Sequence, residues 1–519
     1  MQRALSLLTA IACGLLYGLC FPPLSWWWLS WIVLVPAFVA MRRAPFGQAL
    51  LLAATLASAG AVATVSWLPR TVSVYFHQPA WVGVLLFAAV TLVMVVPSYV
   101  AFAACYKVFS SPPTASLPLL AAAAWVSGEF ARSHLFTGNP WVLFGYSQAR
   151  VGPVVQLADL TGVYGISFVL VVVTTASAES WVTWRDQRRL TRVAMWGLAL
   201  AAAAVVVTLG YGWSRLRGGD ALALQQPTVE VAVVQGNLDL GSQWRQDFYG
   251  KNLDAYGRLT LPALRARHVH LIFWPENAMT FFLEREPAYQ YSLRTLLEPW
   301  DAELVAGGPH VGANGTDIYY LNSAFAVSAQ GSITGRYDKQ RLLPFAEYFP
   351  LPQLDFLKRD FGRVREFMPG EPSGSLQTRA GPAGVLICNE ALFPEVARAR
   401  ARDGAVYLVN LTNDTWVRDP QFALIAFDMS VLRAVEERRY LVRASTWGPS
   451  AIVDPFGRVH VETRLSSAET AVGAIAPRTA LSPYGRLGDG FAAGCGVLTV
   501  AALAWRRSSR GRVARNGPG

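Results

Sequence analysis

Hydrophobic positions are distributed unevenly along this chain. Residues 1–213 are dominated by long apolar runs, residues 214–487 mix short apolar runs with polar stretches, and residues 488–506 are apolar again. A helix needs roughly 20 mostly apolar residues to cross a bilayer. Runs near 4–22, 25–41, 47–69, 79–106, 114–131, 157–181, 193–213 and 488–505 therefore predict eight membrane helices. The fifth run starts among Pro112, Pro113 and Pro118, which crowd its first turn. Arg3 precedes the first run as it would in a signal peptide, but no small-x-small cleavage site follows, so a retained helix is expected. Trp26, Trp27 and Trp28 open the second run, and such rings favour the headgroup level.

The middle of the chain reads differently. Short β-rich runs recur at Val229–Gln235, His270–Trp274, Leu304–Ala306, Ala324–Ser328, Gly384–Cys388, Ala405–Leu411 and Ala451–Val453. Helical patterns lie between several of them, at Pro287–Glu298, Pro394–Ala401 and Phe422–Arg439. Strand–helix alternation of this kind predicts layered sheets with helices outside. The domain reading is 1–213 with seven membrane helices, 214–487 as an α/β domain, 488–506 as a last membrane helix, and 507–519 as a basic, disordered tail.

Composition supports a membrane protein. The 519 residues are 53% hydrophobic and only 15% charged, against a usual charged share of roughly 25%. The net charge of +11 is ambiguous alone, because nucleic acid, anionic lipid and loop topology all select basic residues. Its location resolves it. With eight crossings, the loops and tail on one side carry thirteen Lys or Arg, from Arg3, Arg42, Arg43 and Lys107 to Arg515, and one acid, Asp186. The rest of the chain sums to −1. The positive-inside rule puts that basic side, and both termini, in the cytoplasm and residues 214–487 outside it. Nucleic acid is thereby excluded as the reason for the basic charge.

Four of the five cysteines, Cys13, Cys20, Cys105 and Cys495, fall in predicted membrane helices, leaving Cys388 alone in the α/β segment. A single thiol in an extracytoplasmic domain is a candidate reactive group, or a buried structural residue. Three stretches carry suggestive chemistry. Leu271–Trp274 runs into Pro275 and Glu276, a carboxylate placed to act as a base at a strand end. Arg336-Tyr337-Asp338-Lys339 offers a cation for a developing oxyanion. Gly384–Ile387 runs into Cys388, with a helix expected to follow and stabilise a thiolate. Taken singly, these are also what solvated loop charges and basic surfaces produce. No His or Cys spacing suggests a metal, and no cofactor is expected.

Glu276, Lys339 and Cys388, each at a strand end, resemble the catalytic set of the nitrilase-like carbon–nitrogen hydrolases. The chain as a whole resembles the membrane-integrated branch of that superfamily, the apolipoprotein N-acyltransferases. Phe136-Thr137-Gly138-Asn139-Pro140-Trp141 with Phe144-Gly145-Tyr146-Ser147-Gln148, Gly162-Val163-Tyr164-Gly165, Val234-Gln235-Gly236-Asn237 and Pro344-Phe345-Ala346-Glu347-Tyr348-Phe349-Pro350 carry the likeness. It implies a polytopic α-helical membrane domain plus an extracytoplasmic α/β nitrilase-like domain, an αββα sandwich. It also implies acyl transfer by a ping-pong route through a Cys388 thioester, with Glu276 as base and Lys339 as oxyanion donor. The implied partners are a phospholipid acyl donor, a diacylated lipoprotein acceptor and the bilayer of the bacterial inner membrane; the chain is expected to act as a monomer. Glu347, Glu390 and Trp244 match supporting residues of the family, and Asn389, Asn413 and Trp416 flank the implied site.

The surroundings depart from the family pattern. Asn389 stands where Tyr is usual. Pro420–Ala426 lacks the usual His, and Ser445-Thr446-Trp447 replaces Thr-Asn-Thr. An amide hydrolase, or an acyltransferase with another acceptor, therefore stays as an alternative. Leu351, Leu354, Phe356, Leu357 and Phe361 read as an arm dipping into the outer leaflet, or as ordinary packing.

Overall fold

The computed structural model describes residues 1–223, 227–238, 246–266, 269–314, 317–349 and 366–515. It divides into two units. One comprises Met1–Arg70, Trp81–Leu216 and Leu487–Gly519; the other comprises Thr71–Ala80 and Arg217–Arg486. Residues 71–80, read from sequence mainly as a link between two apolar runs, group with the second unit.

The first unit is helical. Gln2–Leu19, Phe46–Val65, Ala80–Phe109, Val163–Gln187 and Arg192–Gly219 are each long and apolar enough to cross a membrane. Gln2–Leu19 packs closely on Phe46–Val65, and a Cβ on Gly18 would lie 2.5 Å from the Cβ of Ala63. Small residues permit such close approach between apolar helices. Leu117–His134 takes Pro118 in its first turn, where the missing N–H costs no helix bond.

Two expectations need correction here. The run at 25–41 is not one helix. It forms a 3-10 turn, Trp27–Trp31, and a nine-residue helix, Val35–Arg43, too short to span a bilayer alone. The Trp27 carbonyl accepts a bond from Gln148 Nε2 at 2.9 Å, so the Phe144–Gln148 motif holds the turn in place. The last helix, Gly490–Arg515, continues through most of the tail that was expected to be disordered.

The second unit contains two sheets. The six-stranded sheet has the order β11-β1-β2-β3-β4-β5, with β1 Val229–Gln235, β2 Leu271–Trp274, β3 Glu303–Asn314, β4 Asp317–Val327, β5 Ile333–Asp338 and β11 Glu469–Ile475. The five-stranded sheet has the order β10-β9-β8-β7-β6, with β6 Ala383–Ile387, β7 Tyr407–Thr412, β8 Leu441–Ser445, β9 Ala451–Val453 and β10 Val459–Glu462. β1, β2 and β3 run parallel, as do β6, β7 and β8.

Period-two alternation assigns the layers. Val231, Val233, Leu271 and Phe273 face Val385, Ile387, Val409 and Leu411 between the sheets. Ala232, Val234, Ile272 and Trp274 face outward onto the helices Gln246–Ala266 and Pro287–Leu297. On the far side, Leu386, Leu408 and Leu441 pack with Ala397, Phe427 and Val431 of helices Pro394–Arg402 and Pro420–Glu437. The result is an αββα sandwich. Both faces of each sheet are covered, which is why the parallel strands read as nearly continuous apolar runs.

Candidate active site

Parallel strands deliver the chemistry to one end. Glu276 lies two residues past β2, Lys339 directly follows β5, Cys388 directly follows β6, and Asn413 directly follows β7. Crevices outside the carboxyl ends of parallel strands are where α/β folds characteristically place their sites. The sequence named all four of these residues, and the structure brings them together.

Glu276 is buried and held by two donors. Asn322 Nδ2 reaches its Oε1 at 2.7 Å, and the Asn413 backbone N–H reaches its Oε2 at 2.8 Å. The Cys388 thiol and the Asn322 amide both favour the ionised form of Glu276. Burial raises the Glu276 carboxyl above its ordinary range, the nearby Lys339 opposes that rise, and Glu347 adds to it. The loop carrying Glu276 presses on β3. A Cβ on Gly307 would lie 2.5 Å from the Glu276 Cα, so only glycine fits there.

Lys339 is 1% exposed. Its Nζ lies 2.8 Å from Glu347 Oε2 and 3.9 Å from Glu276 Oε1. Burial disfavours its charge, but Glu347, Cys388 and Glu276 together outweigh that and hold its ammonium above the usual lysine range. Glu347 also accepts from Asn322 Nδ2 at 2.8 Å and from the Leu343 N–H at 2.7 Å.

Cys388 has φ +53°, a left-handed conformation costly for a residue with a side chain, of order 1–3 kcal/mol. Its carbonyl accepts from Asn410 Nδ2 at 3.3 Å, and Asn410 also bonds the Leu386 carbonyl at 2.9 Å. The element that follows is a five-residue 3-10 turn, Cys388–Leu392, and the α-helix begins only at Pro394. The expected helix N-terminus is therefore not at the sulfur. Burial, then the Glu276 charge, push the thiol up rather than down.

Glu390 joins two of these strand ends. It is fully buried and accepts from the Tyr337 hydroxyl (2.9 Å), the Gln340 N–H (2.8 Å), the Arg341 N–H (3.1 Å) and the Ile387 N–H (2.7 Å). It thus ties the exit of β5, beside Lys339, to the exit of β6, beside Cys388. Asn389 is buried, and its Oδ1 receives no hydrogen bond among the described residues.

The departures at 445–447 contact the loop that carries Asn413 and Asp414. Thr446 Oγ1 donates to Asn413 Oδ1 at 2.8 Å and accepts from the Asp414 N–H at 3.2 Å. Asp414 pairs with buried Arg443 at 3.2 Å and accepts from Ser445 Oγ at 2.7 Å. Trp447 is buried. Trp416 packs edge-on against Tyr75 and Phe422, with ring centroids 6.2 and 5.6 Å away, so Phe422 and its neighbours fill space in the stretch that lacks His. Trp244 and the stretch 350–365, with Leu351, Leu354, Phe356, Leu357 and Phe361, lie outside the described residues.

Sequence reasoning missed Asn322 and the Arg443–Asp414–Asn410 group. The expected strand began at Ala324, seven residues after the observed start at Asp317 and two past Asn322; the available signal was the Asn322-Ser323 polar pair inside an otherwise apolar run. Among the described residues no group of three His, Cys, Asp or Glu is arranged to hold a metal.

A double sheet presenting a glutamate, a lysine and a cysteine at adjoining strand ends defines the class of carbon–nitrogen hydrolase-type proteins. Residues 230–482 match the Carbon-nitrogen hydrolase family profile, and residues 13–176 match the Apolipoprotein N-acyltransferase N-terminal domain. The apolipoprotein N-acyltransferase of Geobacter metallireducens is 34% identical over 97% of this chain and 96% of its own length. That of Methylococcus capsulatus is 31% identical over 76% of each. Among solved structures, a carbon–nitrogen hydrolase from Helicobacter pylori G27 is 17% identical, with TM-score 0.38 over 48% of this chain and 89% of its own. The chain belongs to the apolipoprotein N-acyltransferase family.

Proposed function

We propose that this chain moves an acyl chain from a membrane phospholipid to the α-amine of an N-terminal diacylglyceryl-cysteine on a lipoprotein, through a thioester on Cys388. The observation that carries this reading is the convergence of Glu276, Lys339 and Cys388 in a chain that also has long apolar helices.

In the first half-reaction Glu276 takes the thiol proton as the sulfur attacks the acyl ester carbonyl. The resting thiol is neutral because it is held above its ordinary range, so proton removal and attack go together. Lys339 stays charged and meets the oxyanion of the tetrahedral intermediate, a contribution of about 3 kcal/mol for one well-placed donor. Collapse breaks the ester C–O bond. The proton on Glu276 passes to the departing lysophospholipid oxygen. In the second half-reaction the lipoprotein amine attacks the thioester, Glu276 removes its proton, and that proton returns to the leaving sulfur. The cycle is ping-pong and is complete within one chain, so a monomer suffices.

Glu347 supports Lys339, Glu390 aligns the lysine and cysteine loops, and Asn413 supplies a backbone donor to the base. The basic excess on one set of loops supports an orientation with both termini cytoplasmic and Cys388 on the periplasmic side of the inner membrane.

The test is a two-stage labelling experiment on the purified full-length protein. Phospholipid with a labelled acyl chain is added first, then a diacylated lipopeptide with a free N-terminal amine. Hydroxylamine-sensitive label on Cys388, passed on to the lipopeptide, is the expected result. Release of labelled free fatty acid with an unlabelled lipopeptide would instead make the protein a hydrolase. Absence of label on Cys388 would end the acyl-enzyme reading.

A further inference from the structure

Asn322 bonds both carboxylates that flank Lys339, and the lysine's own backbone. Its Nδ2 spends one N–H on Glu276 Oε1 (2.7 Å) and the other on Glu347 Oε1 (2.8 Å). Its backbone carbonyl accepts the Lys339 N–H at 2.8 Å. The residue is 2% exposed, and its Oδ1 receives no hydrogen bond among the described residues. One carboxamide thus bridges two carboxylates that share one ammonium.

That ammonium is shared unequally, at 2.8 Å from Glu347 and 3.9 Å from Glu276. In a buried site, opposite charges attract strongly. The Glu347 charge repels Glu276, but the ammonium both carboxylates face attracts it across the remaining gap. If it closed, the base would be neutralised by direct pairing. The lysine would also spend its donors on two carboxylates and have none for an oxyanion. The two restraints on Glu276 are Asn413 on one oxygen and Asn322 on the other.

We infer that Asn322 is a positioning residue that holds Glu276 off Lys339, leaving the glutamate free to take the thiol proton and the lysine free to meet the oxyanion. The inference rests on the acyl-transfer roles proposed above for these residues. The charged and titratable groups facing Glu276 are Lys339 after β5, Glu347 on the loop that follows, and Cys388 after β6. Asp414 after β7 acts on Cys388, and Glu390 shares the field of Lys339. Among these, the Asn322 hydrogen bond favours the ionised form of Glu276. Closure onto Lys339 would replace that bond with direct contact to an ammonium, which favours the ionised carboxylate more strongly, so a Glu276 released onto the lysine takes its proton at lower pH.

Asn322→Leu and Asn322→Asp are close in size to Asn and remove the donors, the second adding a like charge. Two readouts on the full chain decide the matter: iodoacetamide alkylation of Cys388 against pH, followed by mass spectrometry, and the rate of Cys388 acylation by labelled phospholipid. With N322L the acid limb of both profiles is expected to move to lower pH, as direct pairing of Glu276 with the ammonium requires. Acylation at neutral pH is expected to fall about thirty-fold, in line with the sensitivity of catalysis to small misplacements. N322D, whose added charge repels Glu276 and competes for the ammonium, should move the limb less. A limb moved to higher pH in N322L would mean a lost hydrogen bond without closure and would overturn the inference. Profiles that superimpose on those of the unaltered protein would overturn the inference. So would a slower rate with an unmoved acid limb, since that is what a merely structural role produces. If N322L does not fold, Asn322→Ser is read in the same way. If the unaltered protein never acylates Cys388, the acyl-transfer reading fails by itself, while the alkylation limb still judges Asn322.

Discussion

The backbone N–H of Asn413 and the carboxylate of Glu276 are joined by a 2.8 Å hydrogen bond that crosses between the two sheets. Glu276 follows β2 in one sheet and Asn413 follows β7 in the other, next to the strand that ends in Cys388. The proposed base is therefore aimed by the nucleophile's own sheet. The Asn413 side chain fixes the loop that presents this N–H, because its Oδ1 accepts from the Thr415 N–H (3.0 Å), Thr415 Oγ1 (2.6 Å) and Thr446 Oγ1 (2.8 Å). Asn413→Ala removes all three. Acylation of Cys388 by labelled phospholipid is expected to fall about ten- to a hundred-fold, the usual effect of a small displacement in a preorganised site. An unchanged acylation rate would show that the loop does not need these bonds.

Glu390→Gln tests the tie between β5 and β6. The carboxylate serves four donors with two oxygens, whereas an amide offers one oxygen and brings an NH2 that faces donors instead of acceptors. Leaving buried donors unpaired costs about 1–3 kcal/mol each. The variant should melt several degrees lower, and its acylation rate should fall even at temperatures where it is fully folded. Scanning calorimetry and single-turnover acylation at low temperature separate the two effects. A variant that melts lower but acylates at the original rate would reduce Glu390 to a stabilising role.

Activity against pH follows from the directions of the site's shifts. Glu276 is raised, mainly by burial, so it gains its proton at a pH above the ordinary glutamate value of about 4.3. The base is lost on protonation, so the acid limb of acylation should lie above that value. Lys339 is held above its usual range and keeps its charge across neutral and mildly alkaline pH. No fall caused by the lysine is expected up to about pH 9, well below its ordinary pKa of about 10.4. A single-turnover pH profile checks both statements. An acid limb at the ordinary glutamate position would contradict the first, and a decline between pH 7 and 9 that a Lys339→Arg substitution abolishes would contradict the second.

Much of this site was legible in the sequence, for a physical reason. Parallel strands buried on both faces are short, mostly apolar runs, and a polar or reactive residue follows each: Glu276 after Leu271–Trp274, Cys388 after Ala383–Ile387, Asn413 after Tyr407–Thr412. Less visible were the residues whose role depends on tertiary placement. Asn322 lies inside a strand, and only the fold turns its amide toward two carboxylates more than twenty residues away on either side. β5 was missed because Ile333–Asp338 holds only two large apolar residues, Ile333 and Tyr337, among Thr, Gly, Arg and Asp at the edge of its sheet. The break in the second apolar run was hidden because hydropathy does not register a side chain such as Gln148 capturing the Trp27 carbonyl.

Gly307→Ala is a test of steric aim. The added methyl would stand 2.5 Å from the Glu276 Cα and 2.8 Å from the Pro275 carbonyl oxygen, both backbone atoms that cannot swing aside. The loop 275–279 is also bonded to Gly307, through Met279 N–H to its carbonyl (3.0 Å) and its N–H to Pro275 O (3.2 Å). The base must shift if the methyl is to fit. Overpacking of this kind costs about 1–3 kcal/mol. Acylation should fall at least ten-fold while thiol alkylation at high pH, which needs no base, stays within two-fold. Equal loss of both would mean general unfolding instead of a displaced glutamate.

Glu437 offers a prediction about stability far from the chemistry. It is the last residue of the helix Pro420–Glu437, is fully buried, and neither carboxylate oxygen receives a hydrogen bond among the described residues. Burial, with the Glu436 charge in second place, raises its carboxyl to about 8, against the opposing pull of Arg433, Arg439 and Arg398. The ordinary value is about 4.3. Between those two pH values the folded chain keeps a proton that the unfolded chain has released. Stability must then fall as pH rises through this window and level off above it, because unfolding binds fewer protons than folding retains. Each unit of difference is worth about 1.4 kcal/mol, so the whole effect is a few kcal/mol. Glu437→Gln removes the titration and keeps the shape. Its melting temperature should match that of the unaltered protein near pH 5 and exceed it by a margin that grows up to about pH 8 and then stays constant, read by thermal denaturation in detergent across that range. A margin that is the same at pH 5 and pH 8 would show that Glu437 is already ionised in the folded protein.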